Sequence, residues 1–233
     1  MTALEVISVH VPKCAGMALR TFLENSFGGD AVYSDYADRP ADPASPMNLD
    51  RAGFLAKFSD GNYEFLAGKK AVHGHFHPLK YRAACARLRV TFLREPIERM
   101  ISHFLFWKVL PRHGHSLHDY FLDNDLSFEQ FARLPIMCRF YSGVFFGGVD
   151  MASFDLIGFH DRADEDFARL QRSVGSRAAV PKENSNRHPA YEIERASILA
   201  DARLMARLRD ILHEDLDFYE RLRCRAPTSG LSP

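Results

Sequence analysis

The stretch that most constrains the fold is residues 5–11, Glu-Val-Ile-Ser-Val-His-Val. It is short, apolar and β-branched, and it ends on Pro12, which predicts a buried strand. The turn Pro12-Lys13-Cys14-Ala15-Gly16 follows. Met17, Leu19, Phe22 and Leu23 then fall on one helical face within residues 17–25. Strand, glycine-containing turn and helix open an α/β unit. The first backbone N–H groups of such a helix have no intrahelical partner, so they make a cradle for an anion. The helix dipole adds about half a positive charge there, and Lys13 can add a whole one. The pattern is not a Walker A loop: the lysine precedes the glycine, and no Ser or Thr follows the lysine to hold magnesium. The plain alternative is an ordinary turn with an exposed lysine.

The rest of the chain continues the alternation. Residues 70–76 and 88–93 read as strands, and Pro96 stands where a helix begins, with Ile97, Met100, Ile101, Phe104 and Leu105 on its apolar face. Residues 154–159 read as another strand, followed by an acidic helix start at Asp164-Glu165-Asp166. Residues 34–48 are rich in Pro, Asp and Ala and are expected to be a surface loop; Asp50 caps a short helix after them. Residues 108–118 read as a loop, 127–141 as one helix, 180–188 as a polar loop, and 189–222 as one long amphipathic segment. Residues 226–233 are expected to be a flexible tail. No repeat or boundary divides the chain, so residues 1–233 read as a single domain.

Composition narrows the classes. The chain has 233 residues, 46% hydrophobic and 26% charged, which is globular rather than disordered. Its 30 Lys and Arg balance 30 Asp and Glu, so a polycation that grips nucleic acid by bulk charge is excluded. The charge is uneven: residues 69–112 carry ten Lys and Arg against Glu95 and Glu98, while residues 28–66 carry seven acids against three bases. Either these charges are solvated, or the second and third strands deliver cations to an anionic ligand. Cys14, Cys85, Cys138 and Cys224 form no CxxC pair and are expected to be free thiols in a reducing compartment. No signal-peptide pattern or membrane-length apolar run appears, so the expected location is the cytoplasm, with no integral membrane segment.

Two further constellations carry chemistry. In Arg94-Glu95-Pro96-Ile97-Glu98-Arg99-Met100-Ile101-Ser102, Arg94 closes a strand at the end where α/β sheets bind ligands. A guanidinium fork with a hydroxyl suits a terminal phosphate. Arg94 and Arg99 can equally be surface partners of Glu95 and Glu98. In His73-Gly74-His75-Phe76-His77, alternate strand residues share a face, so the three imidazoles can point one way. They admit a general base, a zinc-type site with a ligand from His113, His115 or His118, or a hydrogen-bonded core histidine.

Taken in order, strand-PKxxG-helix, HGH and RxPxxRxxS resemble the carbohydrate sulfotransferases, and within them the heparan sulfate and uronyl 2-O-sulfotransferase branch with its bacterial relatives. Residues 154–167 and Leu216-Asp217-Phe218-Tyr219 extend the resemblance to most of the chain. The resemblance implies a P-loop-NTPase-like three-layer α/β fold, with a mainly parallel central sheet flanked by helices. It implies sulfuryl transfer from 3′-phosphoadenosine 5′-phosphosulfate (PAPS) to a hydroxyl of a glycan or glycolipid, with adenosine 3′,5′-bisphosphate as product and no metal required. Pro12-Lys13-Cys14-Ala15-Gly16-Met17-Ala18 would hold the 5′-phosphosulfate, with Lys13 on its bridging or sulfuryl oxygens. Arg94 and Ser102 would hold the 3′-phosphate. His75 would be the base, with His73 the runner-up.

The family often has Thr-Gly-Gly-Thr-Ser after the lysine. Here Cys14-Ala15-Gly16-Met17-Ala18 leaves backbone donors without those hydroxyls. For the acceptor, the candidates are His73, His77, Lys108, Arg112 and Arg187, with His113, His115, His118, Lys182, Asn184 and Ser185 nearby in sequence; Phe104, Phe106 and Trp107 are core or sugar-stacking residues. A nucleotide-dependent kinase and a histidine-rich metal-binding protein remain as alternative functions.

Overall fold

A computed structural model of the chain describes residues 3–180 and 190–225. Five strands, β1 (Leu4–Val9), β2 (Val32–Asp35), β3 (Ala71–Gly74), β4 (Ala86–Leu93) and β5 (Leu156–Phe159), form one sheet in the order β2-β3-β1-β4-β5. Every pairing is parallel. Adjacent residues of one strand feed opposite cores, as a sheet covered on both faces requires. Val6 and Ala71 pack with α1 (Gly16–Phe27) on one side; Ile7 and Val72 belong to the core on the other. The expected P-loop-like three-layer α/β architecture is present.

The central position of β1 creates the site. Its neighbours are β3 and β4, and Val9 is level with Gly74 on one side and Thr91 on the other. The carboxyl ends of three adjacent strands therefore open onto one crevice. β1 delivers the turn beginning at His10, β3 delivers His75, and β4 delivers Arg94.

Between β2 and β4 the chain departs from the expected surface loop. Residues 34–48 begin inside β2 and end inside α2 (Pro46–Leu49), which precedes α3 (Arg51–Ala56). Asp35, Asp38, Asp42 and Met47 are buried. The cause is a buried ion cluster: Lys80 Nζ lies 2.8 Å from Asp35 and 2.7 Å from Asp38, and the Tyr81 hydroxyl donates to Asp35 at 2.7 Å. The expected Asp50 cap of α3 is in place, its carboxylate accepting from Gly53 N at 2.9 Å.

The helical face over the second core is more broken than its periodicity predicts. Pro96 opens α4 (Pro96–Val109), and α5 (Ser116–Asp123) occupies part of the expected loop. The single helix expected over residues 127–141 is instead α6 (Phe128–Ala132), α7 (Pro135–Cys138) and a π-helical turn, Phe140–Phe145. Pro135 cannot continue a helix, so it starts a new one. After β5, α8 (Ala163–Val174) begins with the expected acids, and buried Asp166 accepts from Phe159 N at 2.8 Å. The long amphipathic segment divides into α9 (Tyr191–Ala200), α10 (Ala202–Ile211) and α11 (His213–Arg225), with Asp201 capping α10. All four cysteines are free thiols. Among the described residues, no helix is long and apolar enough to cross a membrane.

Candidate functional site

The β1–α1 turn is built by two left-handed residues. Lys13 has φ 69° and Ala15 φ 63°, and such alternation curls successive N–H groups toward one point. Ala15 offers no side-chain cap to α1, and no acid stands in its first turn. Gly16 is required by space: a Cβ there would lie 1.7 Å from Cδ2 of His10, whose ring rests on the helix start. The turn opens into a cavity of about 780 Å³, lined by residues 12–18 together with His75, Arg94 and Ser102. That volume is in the range of small-molecule sites, roughly 300–1,000 Å³. Three stretches far apart in sequence thus meet in one cavity.

A tyrosine that no motif contains ties two of them together. The Tyr141 hydroxyl donates to Arg94 O at 2.6 Å, accepts from Arg94 N at 3.1 Å, and lies 3.3 Å from Cys14 Sγ. Tyr141 stands in the π-helical turn, which Asp215 of α11 holds by accepting from Tyr141 N and Ser142 N, each at 2.9 Å. The Cys14 thiol is pushed up by burial, which suits structure rather than nucleophilic chemistry. Arg99 is not a surface ion-pair partner. It is fully buried, its guanidinium 4.0 Å above the Phe140 ring and 3.2 Å from His103 Nδ1. It lies one turn before His103, on the face that α4 turns inward.

The three imidazoles of His73, His75 and His77 do not share a face, because β3 ends at Gly74. His77 turns away, with Nε2 3.1 Å from Gly147 O and Nδ1 accepting from Leu79 N. Its place is taken by His10, which the motifs do not include. The His10 ring stacks on His73 at 5.1 Å, meets His75 edge-on at 4.4 Å, and sets Nδ1 3.0 Å from the Tyr36 hydroxyl. His73 is buried behind the wall, with Nδ1 2.9 Å from Ser8 Oγ. Burial lowers His75 to about 4, and burial together with the neighbouring His75 lowers His73 to about 3. Both rings are therefore neutral at neutral pH. His75 lines the cavity, and its Nε2 has no hydrogen-bond partner among the described residues. Among the described residues, no group of three or more His, Cys, Asp or Glu side chains is arranged to hold a metal ion.

The cations sit toward the other end. Lys13 Nζ stands 4.2 Å over the Phe106 ring, and burial, then Arg94, brings its pKa down to about 8. Arg94 donates to Glu98 at 3.1 Å, and Arg195 of α9 grips the same carboxylate, with Nε at 2.9 Å. Burial pushes Glu98 up, but Arg195 and Arg94 outweigh it and hold its carboxyl below the ordinary range. Of the alternative in which Arg94 and Arg99 are surface partners of Glu95 and Glu98, the structure has the Arg94–Glu98 pair, and it lies in the cavity wall rather than on the open surface.

Four expected acceptor residues stand elsewhere. His73 and His77 are occupied as described. Lys108 is paired with Glu194 at 2.7 Å, and Arg112 with Asp123 at 2.5 Å and Asp119 at 3.5 Å. None of the four lines the cavity. Arg187, Lys182, Asn184 and Ser185 lie outside the described residues, as do residues 226–233. Sequence reasoning missed His10, Tyr141, Tyr191 and Arg195. Only the last two left a local signal, a tyrosine and an arginine four apart on one helical face.

The chain is similar to a sulfotransferase from Alicyclobacillus acidocaldarius, with a TM-score of 0.36 and 15% identity over 94% of this chain and 100% of that one. It is also similar to mouse sulfotransferase SULT7A1 complexed with PAP, with a TM-score of 0.37 and 9% identity over 92% of this chain and 90% of that one. No protein-family model matches the chain, and no curated protein matches it.

Proposed function

We propose that the chain is a sulfotransferase that moves a sulfuryl group from PAPS to a hydroxyl of a glycan or glycolipid. One observation carries this reading: an uncapped helix start with Lys13, a neutral histidine, and an arginine-hydroxyl pair line a single cavity. The residues fit the nucleotide. The cradle at residues 12–18 suits the 5′-phosphosulfate, because backbone N–H groups and the helix dipole favour an anion. Arg94 and Ser102 suit the 3′-phosphate, which separates PAPS from ATP. When bound, the nucleotide supplies an activated sulfuryl group on a phosphate leaving group.

The chain's own residues do the rest. His75 takes the proton of the acceptor hydroxyl, for which a neutral imidazole is the right form. Lys13 and the α1 N-terminus face the side where negative charge develops, as preorganised donors that need no reorientation. Cys14, fastened to Tyr141, holds the turn against Arg94. The acceptor hydroxyl enters from the side of His10 and His75, where the cavity wall carries imidazole surface.

The test is ligand-induced stabilisation. Adenosine 3′,5′-bisphosphate should raise the melting temperature well above the shift given by ATP at equal concentration, without magnesium. Equal shifts, or none, would overturn the reading. A labelled-sulfate screen over glycan and lipid acceptors then identifies the hydroxyl.

A further inference from the structure

The 3′-phosphate end of the cavity has a wall that the sequence motifs do not contain. It is α9, and it presents Tyr191 and Arg195 four residues apart, hence on one face. Both line the cavity. Tyr191 is 6% exposed, yet its hydroxyl has no hydrogen-bond partner among the described residues. A buried hydroxyl without a partner is costly, and phenol oxygens in protein interiors nearly always find one. The oxygen is itself covered, but Tyr191 stands on the cavity wall, so a turn of its ring brings the hydroxyl to a ligand there.

Charge gives the second argument. Glu98 also lines the cavity and already takes a hydrogen bond from Arg94. If Arg94 were the only cation of this subsite, its pairing with Glu98 would leave no net charge to attract a phosphate dianion. Arg195 binds the same carboxylate through two nitrogens, so the Arg94–Glu98–Arg195 cluster carries one net positive charge; of the other acids on the lining, Glu95 accepts from Glu98 N at 2.7 Å and Asp161 is paired with Arg223 at 2.6 Å. Glu98 thereby spaces two guanidinium groups side by side, a geometry suited to the oxygens of a terminal phosphate. The α9 helix is also pinned to the last turn of α4 by Lys108 and Glu194, so Arg195 does not rely on Glu98 alone for its place. Glu192, 79% exposed, stands 3.8 Å from Arg195 at the rim and is screened by solvent.

We propose that Tyr191 and Arg195 are cofactor-binding residues that meet the 3′-phosphate beside Arg94 and Ser102, and that they set the preference for a 3′-phosphorylated nucleotide. This rests on the PAPS-binding reading above and adds the residues that make the nucleotide selective. The Tyr191 hydroxyl donates to a phosphate oxygen, and the Arg195 guanidinium turns part of its donor set from Glu98 to the phosphate. Site groups built to hydrogen-bond a ligand oxygen reject analogues that lack it.

The experiment compares adenosine 3′,5′-bisphosphate with adenosine 5′-monophosphate by calorimetry on the full chain and on Tyr191→Phe, Arg195→Gln and Arg195→Lys. The parent chain should prefer the bisphosphate. Tyr191→Phe and Arg195→Gln should each cut that preference by about tenfold, the scale of one charge-assisted hydrogen bond, while affinity for the monophosphate stays the same. Arg195→Lys, which keeps the charge and loses the fork, should fall between. The melting temperature of the ligand-free Tyr191→Phe chain should hold or rise, since an unsatisfied hydroxyl is gone. Variants that keep the full preference, or lose both nucleotides equally, overturn the proposal while leaving the functional reading in place. A parent chain with no preference for the bisphosphate overturns both.

Discussion

At the scale of single residues, the candidate chemistry depends on two groups shifted by burial. His75 is lowered to about 4 and Lys13 to about 8. A base must be unprotonated and an electrostatic stabiliser must be charged. The dependence of kcat/KM on pH should therefore rise through about 4, stay level, and fall through about 8, since kcat/KM reports the free enzyme. Bound anions favour the protonated form of both groups, so both limbs of kcat should lie at higher pH than those of kcat/KM. A pH–rate profile with an acid limb near the ordinary histidine value in kcat/KM would contradict the burial of His75. His75→Ala should lower transfer by roughly 10²–10⁴-fold and leave the bisphosphate thermal shift nearly unchanged; transfer that survives the change removes His75 as the base. The sequence made Lys13, His75, Arg94 and Ser102 legible because the first three stand in short motifs just past strand ends and Ser102 follows Arg94 in the same motif, inside α4. It hid His10, whose place at the end of an apolar run looks like one more strand residue until Gly16 leaves room for its ring.

At the scale of elements, the site is held by contacts between segments. Tyr141→Phe removes the hydroxyl that bridges Arg94 and Cys14 and leaves the Arg94 N–H without its acceptor. It should cost about 1–3 kcal/mol, read by urea denaturation, and it should weaken bisphosphate binding as the turn and β4 lose their register. Unchanged stability and affinity would show that the tie is incidental. Gly16→Ala should be worse for binding than for folding, because the added Cβ must expel the His10 ring from the helix start. Periodicity located β1, β3, β4 and β5 and the apolar helical faces, but not β2, a four-residue strand too short to show a pattern. It did not see that residues 127–141 and 189–222 are broken into shorter helices, because Pro135 acts by lacking an N–H donor and Asp215 and Asp201 through tertiary and capping hydrogen bonds, and an apolar repeat registers neither.

At the scale of the whole molecule, burial keeps several histidines neutral. His10, His73, His75, His77 and His103 are all lowered, in each case chiefly by burial. Their folded values lie below the unfolded value of about 6.5. The unfolded chain therefore takes up protons first, and stability is lost as pH falls below about 6.5, by up to ~1.4 kcal/mol per pH unit for each histidine. His115 and His160, also lowered by burial, add to this, while Asp38, raised to about 6 by burial and Asp35, acts with the opposite sign, as do Glu95 and Asp215, which burial also raises. Urea midpoints should fall steeply between roughly pH 6.5 and pH 4.5; a flat profile would mean that the imidazoles are hydrated.

The sequence alone determined the α/β class, the strand-turn-helix opening and which polar side chains stand at or just beyond three strand ends, because these follow from local periodicity and turn chemistry. The tertiary structure alone decided which of them meet. Parallel pairing of β1 between β3 and β4 brings their carboxyl ends level. That register brings Lys13, His75 and Arg94 to one cavity, leaves His77, Lys108 and Arg112 outside it, and adds Tyr191 and Arg195 from a helix nearly a hundred residues further along the chain.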